Sequence, residues 1–340
     1  MTNDDPAADA AAVMDLLAGG VIAQVLHALV ALRVPEHLAQ GAATAEEVAR
    51  QAGSHPQATY RLLRAAASLG LLGYQGEQRF ALTGPGRLLC DGMPGSLRSL
   101  VLVQTGHAHW QSLARFPDAV RQGVSQASAA LGADVFEYFA RPENAAEAAL
   151  FSRSMADISG LVTQGAVAAL DTTGVSTVVD VGGAEGQFVL ALLAADPRLR
   201  GQVLDLPHVA PAAEREAAGR GMADRFSALG GDFFTEVPPA DLYLLKTVLH
   251  DWDDDQCRTI LRNCRSAAHE GTRALVVEMV VGEIGKPDFA TISDMSMLTM
   301  THGMERDLGE FDALFAATGW RRTKTYPVGA GYQGLELVAA

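Results

Sequence analysis

Cysteine is scarce, with three in 340 residues. Three thiols cannot build a disulfide framework, so the composition points to a reducing, cytosolic setting. Charge is low at 19%, while 49% of the chain is hydrophobic. That excludes a disordered chain and leaves material for a large core. Positive charge is the scarcer sign: 26 Lys plus Arg face 40 Asp plus Glu, a formal balance of −14. Nucleic-acid and anionic-membrane binders need a basic surface, so neither partner is expected. The opening MTNDDPAADAAAVMDLLAGG has acids where a signal peptide needs a basic region. Apolar runs meet a charge or a breaker before about 18 residues, which argues against a membrane span. The glycine turn at 182–186 does not read G-x-G-x-x-G, the dinucleotide fingerprint.

What is present divides in two, as the length predicts at roughly 100–200 residues per domain. Residues 1–100 are Ala- and Leu-rich and read helical; from Gly174 onward, short β-rich runs alternate with helical stretches. Residues 11–32 are apolar around nearly the whole helix, the pattern of a helix buried within a domain or between two chains. Thr44 and Glu47 have capping-box spacing, and Gly53 is a helix stop. A second helix opens at Ser54–Pro56 and ends at Gly70. LLGYQGEQRFALT then reads as a hairpin turning at Gln75–Gly76–Glu77. Helix, helix, hairpin is a winged-helix pattern, and a winged helix can read DNA. Residues 1–100 hold seven Arg and no Lys against nine acids, a net of −2, so a DNA reader's positive face is missing. A module packing against a partner subunit is the expectation; a DNA-binding regulator is the alternative.

The segment 176–197, STVVDVGGAEGQFVLALLAADP, carries the most information. Thr177–Val181 reads as a buried parallel strand, followed by a Gly182–Gly186 turn and a helix from Phe188. This arrangement brings backbone close to a bound nucleotide, and glycine removes the Cβ that would block it. Asp180 at the strand end would repel a pyrophosphate but tolerate a cation. S-adenosylmethionine carries a sulfonium and an ammonium and no phosphate. The next strand ends in Asp205, 25 residues after Asp180, placed to accept two ribose hydroxyls. In Gly230–Phe234, Asp232 suits the exocyclic amine of adenine and Phe233 suits its face. Without a ligand, these would be a glycine turn and solvated loop acids.

Leu242–Val248 reads as a fourth strand interrupted by Lys246, with His250 and Asp251 at its C-terminal end. An imidazole, with a pKa near 6.5, can take a hydroxyl proton. Asp253 with Gln256 starts a helix, so Asp253, Asp254 and Asp255 serve as cap and dipole partners, and no acid cage for a metal is evident. His107 and His109, beside Trp110, either line a pocket or pack the scaffold. Cys257 and Cys264 share a helical face and fit a core. Met295, Met297, Met300 and Met304 fit either a core or a soft pocket for a flat aromatic.

The series DVGGAEG (180–186), DLPHV (205–209), GGDFF (230–234), LLKTVLHDWDDDQC (244–257), LVVEMV (275–280) and GMERDLGEF (303–311) resembles the class I S-adenosylmethionine-dependent O-methyltransferases of the caffeic-acid and hydroxyindole type, in the branch acting on bacterial secondary metabolites. The resemblance implies an α/β fold: a Rossmann-like domain with a mostly parallel seven-stranded sheet, and a winged-helix-like dimerisation domain. The expected division is 1–100 for dimerisation and 101–340 for catalysis, with 101–165 a helical connector lining the substrate pocket.

It implies S-adenosylmethionine as cofactor, S-adenosylhomocysteine as product, no metal, a homodimer and an aromatic hydroxyl substrate. By motif position, His250 matches the proton acceptor, flanked by Glu278 and Glu305. Gly182, Asp205, Asp232, Phe233, Lys246 and Ser159 match the cofactor site. Phe151, Met155, Met297 and His109 are the expected substrate contacts. Ala184 departs from the usual Gly, and Asp307 from the usual Thr or Ser. Some members of this fold hydroxylate or decarboxylate instead, and these tend to lose the base that His250 supplies here.

Overall fold

The computed structural model describes residues 5–41 and 43–340, except the side chain of Leu161. The chain forms two compact units, 1–111 with 139–157 and 112–138 with 158–340. Beside the expected division at 100/101, the first unit takes in residues 139–157 as well. Phe139 stacks on Phe151 there, with centroids 4.9 Å apart, and Arg153 lies 3.8 Å from Asp91.

The first unit contains α1 (Pro6–Leu17), α2 (Gly19–Ala31), α3 (Val34–Ala39), α4 (Ala45–Ala52), α5 (Pro56–Ser68), β1 (Leu72–Tyr74) and β2 (Phe80–Leu82). The Thr44–Glu47 capping box forms. Backbone amides of Thr44 and Ala43 hold the Glu47 carboxyl down to about 2. β1 and β2 pair antiparallel, Leu72 opposite Leu82, through a turn with positive φ at Gly76, Glu77 and Gln78. Leu29, Val48, Leu63 and Phe80 pack the core.

α1 buries no residue, and α2 buries only Leu29 and Val30. Val13, Met14, Leu16, Leu17 and Val21 face outward on the single chain. Gly19 and Gly20 do not interrupt the run. Ala18 keeps right-handed helical angles, and α2 begins at once. Pro6–Ala31 is therefore long and apolar enough to cross a membrane by length and composition, contrary to the sequence expectation.

The second unit is built on a sheet of β3 (Thr177–Val181), β4 (Arg200–Asp205), β5 (Phe226–Gly230), β6 (Leu242–Lys246), β7 (Arg273–Val281), β8 (Arg306–Asp307), β9 (Trp320–Gly329) and β10 (Tyr332–Ala339). The order is β5-β4-β3-β6-β7-β10-β9, with β8 on the end of β7. β3 to β7 are parallel, and β10 and β9 close the sheet antiparallel. The seven expected strands are present, with two-residue β8 as an addition.

Side chains alternate between the two faces. Val178, Leu244, Leu275 and Val277 pack one core with the helices Gln187–Ala195 and Ala210–Gly219. Val179, Tyr243, Leu245, Ala274 and Val276 pack the other with Asp254–Ala267 and Leu308–Ala316. Asp307 caps the helix that follows: its Oδ1 accepts from Glu310 N at 2.8 Å, and Asp307 N donates to Glu310 Oε2 at 2.9 Å. The chain runs outward from β3 to β5, then returns to β6 on the other side of β3. In open α/β sheets, such a switch point leaves a crevice at the strands' C-terminal ends.

Candidate active site

Both halves of the nucleotide-type motif stand at that crevice. After β3, Gly182 turns with φ +69° and donates to Leu204 O at 2.8 Å. A Cβ there would lie 3.1 Å from Val248 and 3.5 Å from the Phe233 ring. Gly183 is tighter: its Cβ would fall 2.5 Å from Asp180 Cγ. Asp180 is therefore not an open acid for a cation. It is buried beneath the turn, accepts from Val189 N at 3.3 Å, and burial raises its carboxyl to about 7 although Lys246 opposes this.

Asp205 binds the turn from the β4 side. Its Oδ2 accepts from Ala184 N at 2.8 Å and its Oδ1 from Leu206 N at 2.7 Å. Ala184 holds φ +49°, a left-handed conformation that glycine reaches without a Cβ penalty. Asp232 is exposed and its Oδ1 accepts from Phe234 N at 2.8 Å. Phe233 is half-buried, edge-on to Phe234 at 4.8 Å and to Trp252 at 6.1 Å. Gly182, Asp205 and Phe233 thus meet at one turn, with Asp232 beside the ring. This set offers carboxylate acceptors and an aromatic face. Lys246 ends β6; burial lowers its pKa, while Asp180 and Glu278 pull it back up.

β6 stops two residues earlier than the sequence suggests. Thr247 takes φ +53°, an outlier for a β-branched residue, while its N–H still reaches Val277 O at 3.0 Å. The reversal turns the next three amides onto Glu278. Its Oε1 accepts from Val248 N at 3.0 Å, Leu249 N at 2.8 Å and His250 N at 3.4 Å. Glu278 follows Ala274 and Val276 on the same face of β7 and is fully buried.

The ring of His250, 16% exposed, places Nδ1 3.2 Å from Glu305 Oε1 and 4.0 Å from Glu278 Oε2. Its Nε2 lies 3.8 Å from Asp251. A carboxylate can only accept, so Nδ1 carries a hydrogen toward Glu305, and in the neutral ring the lone pair falls to Nε2. Burial alone would lower the imidazole; Glu278, Asp251 and Glu305 outweigh it and lift it to about 10. Burial raises Glu278 to about 7 against the pull of His250. Glu278 Oε2 and Glu305 Oε2 are buried without hydrogen-bond partners. Ser293 and Asp294 steady Glu305 from outside, the first by its hydroxyl at 3.3 Å, the second by accepting the Glu305 amide at 2.8 Å.

His250, Glu278 and Glu305 each offer a ligand atom within 4.8 Å of one another, a grouping of metal-binding type that the sequence reading did not anticipate. The acid run is used elsewhere, as expected: Asp253 caps the helix with Gln256, and Asp254 and Asp255 pair with Arg258.

The expected substrate residues fall in both units. Phe151, Met155 and His109 belong to the first and Met297 to the second, as does Ser159 of the expected cofactor set. Met155 is exposed, Met297 half-buried and Ser159 buried. Burial lowers His109 to about 4, leaving a neutral imidazole whose Nδ1 has no hydrogen-bond partner. Met300 is core, while Met304 is exposed.

A family profile described as an O-methyltransferase domain matches residues 110–321, and an O-methyltransferase dimerisation domain matches 14–92. The chain belongs to the O-methyltransferase family. The mitomycin biosynthesis 6-O-methyltransferase of Streptomyces lavendulae is 36% identical to this methyltransferase, covering 97% of the chain and 95% of the relative. The phenazine O-methyltransferase PhzM of Lysobacter antibioticus is 32% identical over 95% and 94%. Among solved structures, the O-methyltransferase NcsB1 of neocarzinostatin biosynthesis, in complex with S-adenosylmethionine and 2-hydroxy-5-methyl naphthoic acid, superposes with a TM-score of 0.78 at 32% identity, over 94% and 96%. The methyltransferase uses S-adenosylmethionine and carries the family's dimerisation domain.

Proposed function

We propose that this enzyme methylates a hydroxyl of a small planar aromatic metabolite, with His250 accepting the proton, as a cytoplasmic homodimer without metal or nucleic acid. Relatives acting on phenazine, mitomycin and naphthoate compounds support the substrate class. The three buried, free cysteines suit a reducing compartment.

The observation that carries the reading is the His250 cluster. Glu278 fixes the turn, Glu305 fixes the ring, and in the neutral ring, the fraction that grows as pH rises toward about 10, Nε2 is left to receive a proton. The charge gained at Nε2 is balanced by the two carboxylates behind Nδ1. Each keeps one buried oxygen with no partner, so the pair has room to share it.

The turn suits the cofactor. Asp205 offers acceptors for ribose hydroxyls, Asp232 one for the adenine amine, and Phe233 a ring face, while Gly182 and Gly183 leave no Cβ in the way. Ser159 and Lys246 would complete the cofactor side; Phe151, Met155, Met297 and His109 would contact the acceptor. When bound, S-adenosylmethionine supplies an electrophilic sulfonium methyl. The chain's own work is to hold the acceptor oxygen in line and to take its proton.

A panel of phenols and N-heteroaromatic alcohols, assayed with isotopically labelled cofactor with and without a strong chelator, tests the reading. Methylated phenol with undiminished turnover under chelation is expected. Chelator-sensitive turnover would overturn the metal-free reading; label on none of the phenols would overturn the acceptor class.

A further inference from the structure

Residues 303–306 lie against the turn that carries His250. A Cβ on Gly303 would fall 1.7 Å from the His250 carbonyl oxygen and 2.5 Å from Asp251 C, so the two segments meet backbone to backbone. Two residues on, Glu305 takes the imidazole. Arg306 follows, with a fully buried side chain. Its Nη1 donates to Leu249 O at 3.0 Å and its Nη2 to Trp252 O at 2.9 Å, the carbonyls on either side of His250–Asp251. Nε and Nη2 also donate to Asp254 Oδ1 at 3.1 and 3.0 Å. A guanidinium is costly to take out of water unless its donors are met. Helix capping does not explain one here, since Asp253 and Gln256 already cap that helix.

We propose that Arg306 is a positioning residue for methyl transfer. Its planar fork grips both shoulders of the 249–254 turn and so fixes the angle at which the imidazole meets Glu305. Arg306 touches no reacting group; it acts through His250. Lysine could satisfy one of these acceptors but not the set, because it lacks the rigid fork.

The inference rests on His250 as base, so its test runs beside His250→Ala. Full-length Arg306→Lys and Asp254→Asn are compared with wild type for S-adenosylhomocysteine affinity, kcat, acceptor KM and the pH profile of kcat/KM. The groups facing the imidazole are Glu278 from β7, Glu305 from the 303–306 segment and Asp251 on its own turn. Lys246, Asp294 and Tyr332 stand behind these.

Arg306→Lys is expected to lower kcat by about 10–100-fold, the scale of an ångström-sized misplacement. Product affinity should hold within about twofold, since the turn after β3 is untouched, and the pH profile should shift with the loosened imidazole. Asp254→Asn removes one acceptor's charge and should lower kcat by about 3–10-fold. Wild-type kcat and pH profile in both variants, with only a lower melting temperature, would make Arg306 a plain brace and overturn the proposal. If Arg306→Lys does not fold, Asp254→Asn, with its carboxyl side chain 49% exposed, decides by the same criteria. Wild-type-like His250→Ala would remove the base reading; wild-type-like Arg306→Lys beside an impaired His250→Ala removes this one alone.

Discussion

Glu278 reaches His250 at both ends: Oε1 accepts its backbone amide at 3.4 Å, and Oε2 lies 4.0 Å from Nδ1. One carboxylate therefore shapes the turn and charges the ring. Glu278→Gln separates the two roles, because the amide oxygen still accepts from the three backbone N–H groups while the negative charge is gone. Removing that charge lowers the imidazole from its raised value near 10. The neutral base then exists at lower pH, so the acid limb of kcat/KM should move to lower pH. A limb that stays in place, measured over pH 6–10 or so, would show that Glu278 does not charge the ring.

His250→Ala should lower turnover by roughly 10²–10⁴ at neutral pH. Raising the pH should restore part of it, since hydroxide can ionise a phenol in solution. Asp205→Ala should do the opposite, weakening cofactor binding while sparing the chemical step at saturation. Single-turnover methyl transfer against pH, with calorimetry on S-adenosylhomocysteine, checks both. Equal neutral-pH rates in wild type and His250→Ala would remove His250 from the mechanism.

Asp180 titrates unusually, and the consequence for stability has a definite sign. Burial raises its carboxyl from 3.8 to about 7. Between those values the native chain holds a proton that the unfolded chain has released. The stabilisation from this group is complete at the acid end and lost as pH rises toward 7. Asp180→Asn keeps the shape and removes the titration. Its melting temperature should fall less than that of wild type between pH 4 and 7 or thereabouts; parallel curves by scanning calorimetry would contradict this.

Met14, Leu16, Leu17 and Val21 are exposed on α1 and α2, within the residues matching the dimerisation domain. A dimer seated on this face would be broken by Leu16→Asp with Leu17→Asp. Light scattering at micromolar concentration should give twice the chain mass for wild type and one chain mass for the variant. A wild-type monomer would refute the homodimer.

Local structure was readable where its causes are local. The Thr44–Glu47 and Asp253–Gln256 boxes need partners only three residues apart, and Thr177–Val181 matches its β-branched run to the residue. The end of β6 was not readable. Nothing in Leu242–Val248 says that Thr247 will reverse the backbone, because the cause is a carboxylate 31 residues further on. Nothing in GMERDLGEF marks Arg306, because its acceptors lie more than fifty residues back. The resemblance supplied His250, Glu278 and Glu305 as a trio. It could not supply the division of labour among them, which depends on which oxygen faces which nitrogen. The substrate side was least legible, since residues 101–165 carry no strong period and the chain crosses between units within them.

Thr247 has a consequence for anyone adapting this enzyme to heat. A β-branched residue at φ +53° costs about 1–3 kcal/mol, borne by the rest of the fold. Libraries screened for thermal endurance alone will be drawn to Thr247→Gly, which relaxes that peptide. Glycine keeps that positive φ without a Cβ penalty but reaches negative φ about as readily, so the turn that aims three amides at Glu278, and with them the imidazole, is less constrained. Hardier descendants selected without an activity screen would therefore drift toward slower methyl transfer.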